Sequence, residues 1–178
     1  MQSMRYERQL FFKYIGKEGQ GKISKSTVTI VGVGALGSVS AELLARAGIG
    51  KLILIDPDNV EIHNLQRQSL FDEKDIGKNK AEVAKEKLNE INSEVNVEAH
   101  PIALDKSNTK LLKGIVLDGT DNMDVRLLMD DYCISHKIPW IYGGIASSVG
   151  MIYSILPGRT SFRAVFGNLS PGLTCEGV

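Results

Sequence analysis

Apolar positions fall along this chain as short runs that alternate with amphipathic stretches. Thr27-Val28-Thr29-Ile30-Val31 and Leu52-Ile53-Leu54-Ile55 are β-branched or aliphatic runs of strand length and read as buried strands. Residues 95–99, Ile115-Val116-Leu117, Trp140-Ile141-Tyr142 and residues 151–156 add further strands. Between them, Ala81, Ala84, Leu88 and Ile91 recur at spacings of three and four, which places them on one helical face. Residues 38–47, rich in Ala, Leu and Glu, predict a second helix that Gly48 and Gly50 stop, and residues 125–136 a third. Charged and apolar groups alternate over residues 4–15, which predicts an N-terminal helix, and the Gly- and Lys-rich segment 16–26 reads as a connection. Strands alternating with helices imply an α/β, Rossmann-like doubly wound fold: a mainly parallel sheet with helices on both faces. Ligands of such folds sit beyond the carboxyl ends of the strands, so the loops that matter follow Val31, Ile55, Leu117 and Tyr142.

Composition narrows the class without naming a chemistry. A chain of 178 residues favours a single domain over 1–178, and 43% hydrophobic with 24% charged residues is ordinary globular usage. Lys plus Arg equals Asp plus Glu, at 21 each, so net charge argues neither for nucleic acid nor for an anionic membrane. Two cysteines, Cys133 and Cys175, are too few for a disulfide scaffold, which favours a reducing, cytoplasmic location. The N-terminus shows no apolar segment of the signal-peptide kind, and the longest apolar runs are too short to span a bilayer.

Candidate chemistry begins at Gly32-Val33-Gly34-Ala35-Leu36-Gly37, which leaves a strand and opens a helix. Glycines there permit a tight turn and close backbone approach, and the helix N-terminus offers free N–H groups to a phosphate. Asp56, about twenty residues on, stands where an acid accepts from ribose hydroxyls. This loop alone points to NAD or FAD as readily as to ATP. The segment that decides runs Asp56-Pro57-Asp58-Asn59-Val60-Glu61-Ile62-His63-Asn64-Leu65-Gln66-Arg67-Gln68, a dense polar set for which a dehydrogenase has no use.

That segment resembles the signature of the ThiF/MoeB/HesA family, which is itself similar to the ubiquitin-activating enzymes. Four further segments match in order: Arg5-Tyr6-Glu7-Arg8-Gln9, Gly77-Lys78-Asn79-Lys80-Ala81, Asp118-Gly119-Thr120-Asp121-Asn122 and Leu173-Thr174-Cys175. The resemblance implies an ATP-dependent adenylyltransferase that activates the C-terminal glycine carboxylate of a ubiquitin-fold sulfur carrier protein, of the ThiS or MoaD type, for thiamine or molybdopterin cofactor biosynthesis. It further implies that Arg67 and Lys80 contact the phosphates, that Asp121 holds Mg2+, and that Asn122 fixes the nucleotide. Asp56 takes the ribose, with Asp58, Asn64 and Gln66 lining the same pocket beside Gly32, Gly34, Ala35 and Gly37. Arg8 is expected to reach the ATP of a neighbouring subunit, so a homodimer is expected; an arginine suits that task because its planar fork binds two phosphate oxygens at once. Cys175 matches a position that some members use in sulfur transfer.

Three departures qualify the resemblance. Ala35 stands where the family loop usually has glycine, and its methyl crowds the nucleotide slightly. Segment 161–164, Ser161-Phe162-Arg163-Ala164, lacks the first cysteine pair of the family's structural zinc, so zinc is expected to be absent. The ending Cys175-Glu176-Gly177-Val178 looks like a family segment cut short, which implies a domain truncated at its C-terminus. Two other functions remain open: ATP-dependent activation of a different carboxylate, on a peptide or a tRNA base, and a non-catalytic partner subunit.

Overall fold

A computed structural model describes residues 4–166. A 3-10 turn (Met4–Tyr6) leads into α1 (Glu7–Phe11) and α2 (Gly16–Ile23), followed by β1 (Thr27–Val31), α3 (Ala35–Ala47), β2 (Lys51–Ile55), α4 (Lys80–Ile91), β3 (Asn96–His100), β4 (Ile115–Asp118), α5 (Met123–Ser135), β5 (Trp140–Ala146), β6 (Val149–Ile155) and α6 (Phe162–Phe166). One sheet has the order β3-β2-β1-β4-β5-β6. Its first five strands are parallel, and β6 returns antiparallel to β5.

Side-chain alternation along the strands sorts the core into two layers. Val28, Ile30, Leu52, Leu54 and Val97 face α3 and α4, where Ala41, Ala45, Ala81, Ala84 and Leu88 meet them. Val31, Ile53, Ile55, Val116, Trp140 and Ile155 face the other way, against Met129 and Cys133 of α5 and Phe162 of α6. Small residues on α3 and α4 let those helices approach the sheet closely. The doubly wound expectation is met, with helices on both faces.

Two local readings change. The segment 16–26 is not a plain connection, because α2 occupies most of it. Buried Gln20 donates from Nε2 to the Ala47 carbonyl at 3.0 Å and accepts from Gln9 at 2.7 Å. These tertiary hydrogen bonds outweigh the low helix propensity of Gly16, Gly19 and Gly21. Nor is 4–15 one helix: the chain leaves α1 at Phe12, whose backbone is extended. Strand β5 also runs past Tyr142 through Gly143 and Gly144, and a two-residue turn at Ser147 and Ser148 sends β6 back alongside it.

The sheet order creates a crevice. From β1 the chain winds one way through β2 to β3, then returns to place β4 on the other side of β1. The carboxyl ends of β1 and β4 therefore flank the point where winding reverses, the ligand position in doubly wound sheets. Among the described residues, no helix is long and apolar enough to cross a membrane.

Candidate nucleotide site at the carboxyl edge of the sheet

Three glycines shape the crevice. Gly32 has φ +85°, a conformation that costs other L-residues on the order of 1–2 kcal/mol. A Cβ on Gly37 would lie 1.9 Å from the Gly32 carbonyl oxygen, and one on Gly119 would lie 2.2 Å from the same atom. The glycine loop after β1 and the loop after β4 are thus in backbone contact. Gly34 is the N-cap residue of α3, which begins at Ala35, so the N–H groups that a helix cannot pair internally lie at this edge. Ala35 sits in the first turn of α3 without the left-handed backbone that would demand glycine.

The acid after β2 is tied into this loop. Buried Asp56 accepts from the Val33 N–H at 2.6 Å and from the Asp58 N–H at 2.8 Å. Burial pushes its carboxyl above the usual range, and these two backbone donors, with the Lys80 charge, pull against that. Each carboxylate oxygen retains a free lone pair for a hydroxyl donor. Lys80, the first residue of α4, is buried and reaches Asp58 Oδ2 at 3.1 Å. Asp56, Asp58 and Lys80 therefore form one cluster beside the glycine loop.

Asn79 holds this cluster in place. Its Oδ1 caps α4, accepting from the Ala81 and Glu82 N–H groups at 2.9 and 3.2 Å. Its Nδ2 donates to the Asp56 and Asp58 carbonyls at 3.1 and 3.0 Å. An Asn just before an amphipathic helix was a readable cap signal; its second role depends on a contact 23 residues away and was not readable.

The segment 62–68 opens with a short 3-10 helix, Ile62–Asn64, and continues as a turn. Buried Asn64 accepts from the Glu61 N–H at 3.1 Å and so closes this turn. Gln66 is exposed. Arg67 is exposed, with Nη1 bonded to the His63 carbonyl at 3.0 Å. The loop after β4 is braced from beneath. Buried Arg126 donates from Nε to Asp118 Oδ2 at 2.8 Å, bonds the Thr120 carbonyl, and lies 5.0 Å from the centre of the Tyr142 ring. Burial pushes the Asp118 carboxyl up to about 6, although the Arg126 guanidinium opposes that rise. Asp118 Oδ1 accepts from the Thr120 N–H at 2.9 Å, and Thr120 Oγ1 accepts from the Asn122 N–H at 3.1 Å. Asp121 is exposed at the tip of this braced loop. Asn122 is the N-cap of α5, accepting from the Val125 N–H at 3.1 Å. Sequence reasoning singled out neither Gly119 nor Arg126. A buried arginine in the first turn of a helix carries no signal in hydrophobic periodicity.

Arg8 is not brought to this site. Its neighbours are anchored at the opposite edge: Tyr6 bonds Glu94 and Asn92 at 2.9 and 2.8 Å and packs on Gly48, and Gln9 bonds the Ala47 carbonyl at 3.1 Å. Those partners precede the starts of β2 and β3. The 13-residue α3 separates Ala47 from Gly34 by about 20 Å. Segment 161–164 builds the start of α6: Asp130 accepts from the Phe162 and Arg163 N–H groups at 2.9 and 3.1 Å, and Ser161 Oγ accepts from Ala164 at 3.1 Å. Cys175 lies outside the described residues.

A glycine-lined crevice at the switch point, with an acid after the second strand and a helix N-terminus, defines a Rossmann-like α/β domain. Residues 6–176 match the ThiF family model, and the chain belongs to that family. It is 38% identical to the sulfur carrier protein ThiS adenylyltransferase of Bacillus subtilis (strain 168), across 97% of this chain and 53% of that protein. It is 35% identical to the molybdopterin-synthase adenylyltransferase of Haemophilus influenzae, across 91% of this chain and 69% of that protein. Among solved structures, Escherichia coli MccB with ATP matches with a TM-score of 0.79 and 29% identity, covering 98% of this chain and 58% of MccB. The chain spans about half the length of the Bacillus subtilis relative.

Proposed function

We propose that this chain is the nucleotide-binding part of an ATP-dependent adenylyltransferase. Its substrate is the C-terminal glycine carboxylate of a ubiquitin-fold sulfur carrier protein, activated for thiamine or molybdopterin cofactor biosynthesis in the cytoplasm. The observation that carries this reading is the Asp56–Asp58–Lys80 cluster, held by Asn79 against the glycine loop. It places a cation and a hydroxyl acceptor together where a nucleotide needs both. The names of the relatives support the same chemistry.

In the reaction, a carboxylate oxygen bonds to the α-phosphorus of ATP. The bond from that phosphorus to the bridging oxygen breaks, and pyrophosphate leaves with the electron pair. The nucleophile is ionised near neutral pH, so no general base is required. The residues instead position two anions and offset the charge that develops. Lys80 and Arg67 supply positive charge, Asp56 accepts from the ribose, and Asp58 holds Lys80 in place. Asn64 and Asn122 stiffen the turns on either side of the pocket, and Gln66 lines its rim.

Exposed Asp121 is the group we assign to Mg2+. No group of three or more His, Cys, Asp or Glu among the described residues gathers to hold a metal. Magnesium is commonly held by one or two carboxylates together with substrate phosphates, so Asp121 would hold it beside the ATP phosphates. When bound, the ion neutralises phosphate charge. A structural zinc is not part of the proposal, since the helix start at Ser161 stands where thiolates would be needed. Cys175 remains a candidate for sulfur transfer.

Arg8 cannot serve the site of its own chain from the opposite edge of the sheet, so we assign it to a second copy in a homodimer. Mixing Arg8→Ala with Arg67→Ala chains tests this. One of the two sites in the mixed dimer keeps both arginines, so ATP–pyrophosphate exchange should return toward half of wild type in purified mixed dimer and about a quarter in a randomly paired equimolar mixture. Mixed dimers as inactive as the two single variants would refute exchange of Arg8 between subunits. ATP–pyrophosphate exchange with ThiS-type and MoaD-type carriers tests the activity itself. Tighter calorimetric binding of NAD than of MgATP would remove the adenylation reading.

A further inference from the structure

The part of the sheet built by β5 and β6 has one covered face. Trp140, Tyr142 and Ile155, with Tyr153 beside them, pack toward α5 and α6. Alternation turns Ile141, Gly143 and Ile145 of β5 the other way, beside their register partners Ser154, Ile152 and Gly150 of β6. The helices of that second layer, α3 and α4, pack on β1, β2 and β3 instead. The β5–β6 floor stays open: Ile145 is exposed, and Ile152 is 81% exposed. No charge compensates for the missing cover. From Ile138 to Gly158 the chain has no charged residue, in a sequence that is 24% charged. The edge strand β6 thus lacks the lysines, prolines and other charges that keep exposed edges apart.

Helix α3 has the opposite defect, because it is apolar on two sides. Ala41 and Ala45 face the sheet. Leu36, Val39 and Leu43, at spacings of three and four, form a second stripe on which Leu43 is 62% exposed. That stripe runs beside the open floor, since a Cβ on Gly143 would stand 3.4 Å from Leu36 Cδ1. A floor without a helix and a helix face without a floor therefore lie side by side.

We propose that this face joins two copies of the chain about a two-fold axis, with α3 of each copy laid in the trough over β5 and β6 of the other. Each copy lacks what the other supplies, and a two-fold axis makes the same contact twice. Gly143 and Gly150 add no side chain to the floor, which leaves room for a helix ridge. The size fits as well. Two strand spacings and a helix diameter give a width of about 20 Å, and α3 gives a length of about 20 Å, so the patch covers roughly 400 Å2 in projection. A standard interface takes about 800 Å2 from each partner, with a charge-poor apolar core inside a polar rim. The patch has the dimensions and composition of such a core. This inference rests on the homodimer of the proposed function, and it names the face from residues that proposal does not use.

Sedimentation equilibrium of the full chain tests it. Wild type should be dimeric at micromolar concentration. Leu43→Glu and Ile152→Lys should each raise the dimer dissociation constant about a hundredfold, with the far-UV circular dichroism unchanged because both side chains are exposed in the single chain. An equimolar mixture of the two variants should recover a dimer within about tenfold of wild type. One of its two contacts is then native, and the other brings opposite charges together. Should either charged variant fail to fold, Ile152→Thr keeps a β-branched residue in the strand and should still weaken the dimer about tenfold. Dimer constants within threefold of wild type in all the variants would overturn the face and leave the homodimer standing. Weakened single variants that do not recover on mixing would overturn the packing of α3 on β5 and β6. A wild-type chain that stays monomeric at tens of micromolar would remove the homodimer and this inference together.

Discussion

Lys80→Met separates chemistry from folding at the proposed site. The Lys80 side chain is 8% exposed, whereas its partner Asp58, 3.1 Å away, is 63% exposed. Water screens that pair strongly, so its contribution to stability is about 0–1 kcal/mol. Methionine nearly conserves the volume of the lysine stem, and such swaps in packed surroundings cost less than about 1.5 kcal/mol. The folded state should therefore survive, with a melting temperature within a few degrees of wild type. The reaction should not survive so well. A preorganised cation aimed at developing phosphate charge is typically worth about 3–4 kcal/mol in the transition state, or roughly a hundredfold to a thousandfold in rate. The assay is the initial rate of carrier-dependent ATP–pyrophosphate exchange, read beside a thermal melt of the same preparation. A rate within a few-fold of wild type would refute the role of Lys80. A rate loss that merely tracks a large fall in melting temperature would refute the separation argued here.

Other perturbations reach the same site by different routes. Asn79→Ala removes the α4 cap and the two bonds to the Asp56 and Asp58 carbonyls; it should cost about 2 kcal/mol, roughly 4–8 °C of melting temperature, and lower exchange with it. Gly119→Ala drives a methyl against the Gly32 carbonyl; the backbones must part at a cost of about 1–3 kcal/mol, and ATP affinity measured by calorimetry should fall at least tenfold. Asp118 has a folded pKa raised to about 6 from an ordinary 3.8. The folded chain then holds the extra proton between those values, so this contribution is complete below about pH 4 and is lost as pH rises through about 6. It amounts to about 3 kcal/mol. The difference in stability between wild type and Asp118→Asn should change across that window, and a constant difference would refute the shift.

The strands and the glycine loop were legible because their signals are local. Apolar runs of strand length bounded by glycines or Asp56 leave few alternatives, and the alternation in β1 already divides Val28 and Ile30 from Thr29 and Val31. Helix α2 was not legible, since its three glycines argue against a helix and only the Gln20–Ala47–Gln9 contacts reveal one. The reversal at β6 was hidden because its turn is built on Ser147, at φ +53°, rather than on an Asn-Gly pair. Within the site, the charged residues were readable as a motif, but their supports were not. Asn79, Gly119 and Arg126 act through partners that become adjacent only when strands β1, β2 and β4 align.

The polarity of the parallel sheet sets the division of labour across the molecule. Every parallel strand ends at the same edge, so the loops after β1, β2 and β4 converge there without any long-range signal in the sequence. That convergence gathers Gly32, Asp56 and Gly119 at one crevice, and the cap at Asn79 brings Lys80 to it. The same polarity removes Arg8, because Tyr6 and Gln9 are held where α3 ends and β2 and β3 begin. A chain laid out this way displays the glycine-lined crevice at one edge and an exposed arginine, Arg8, at the other. Rotating one copy so that its amino edge meets the carboxyl edge of a second would satisfy both, provided the same contact can be made in return. A two-fold dimer would meet that condition, and on the proposed reading a chain that has lost Arg8 but keeps Arg67 regains activity only beside a chain that keeps Arg8.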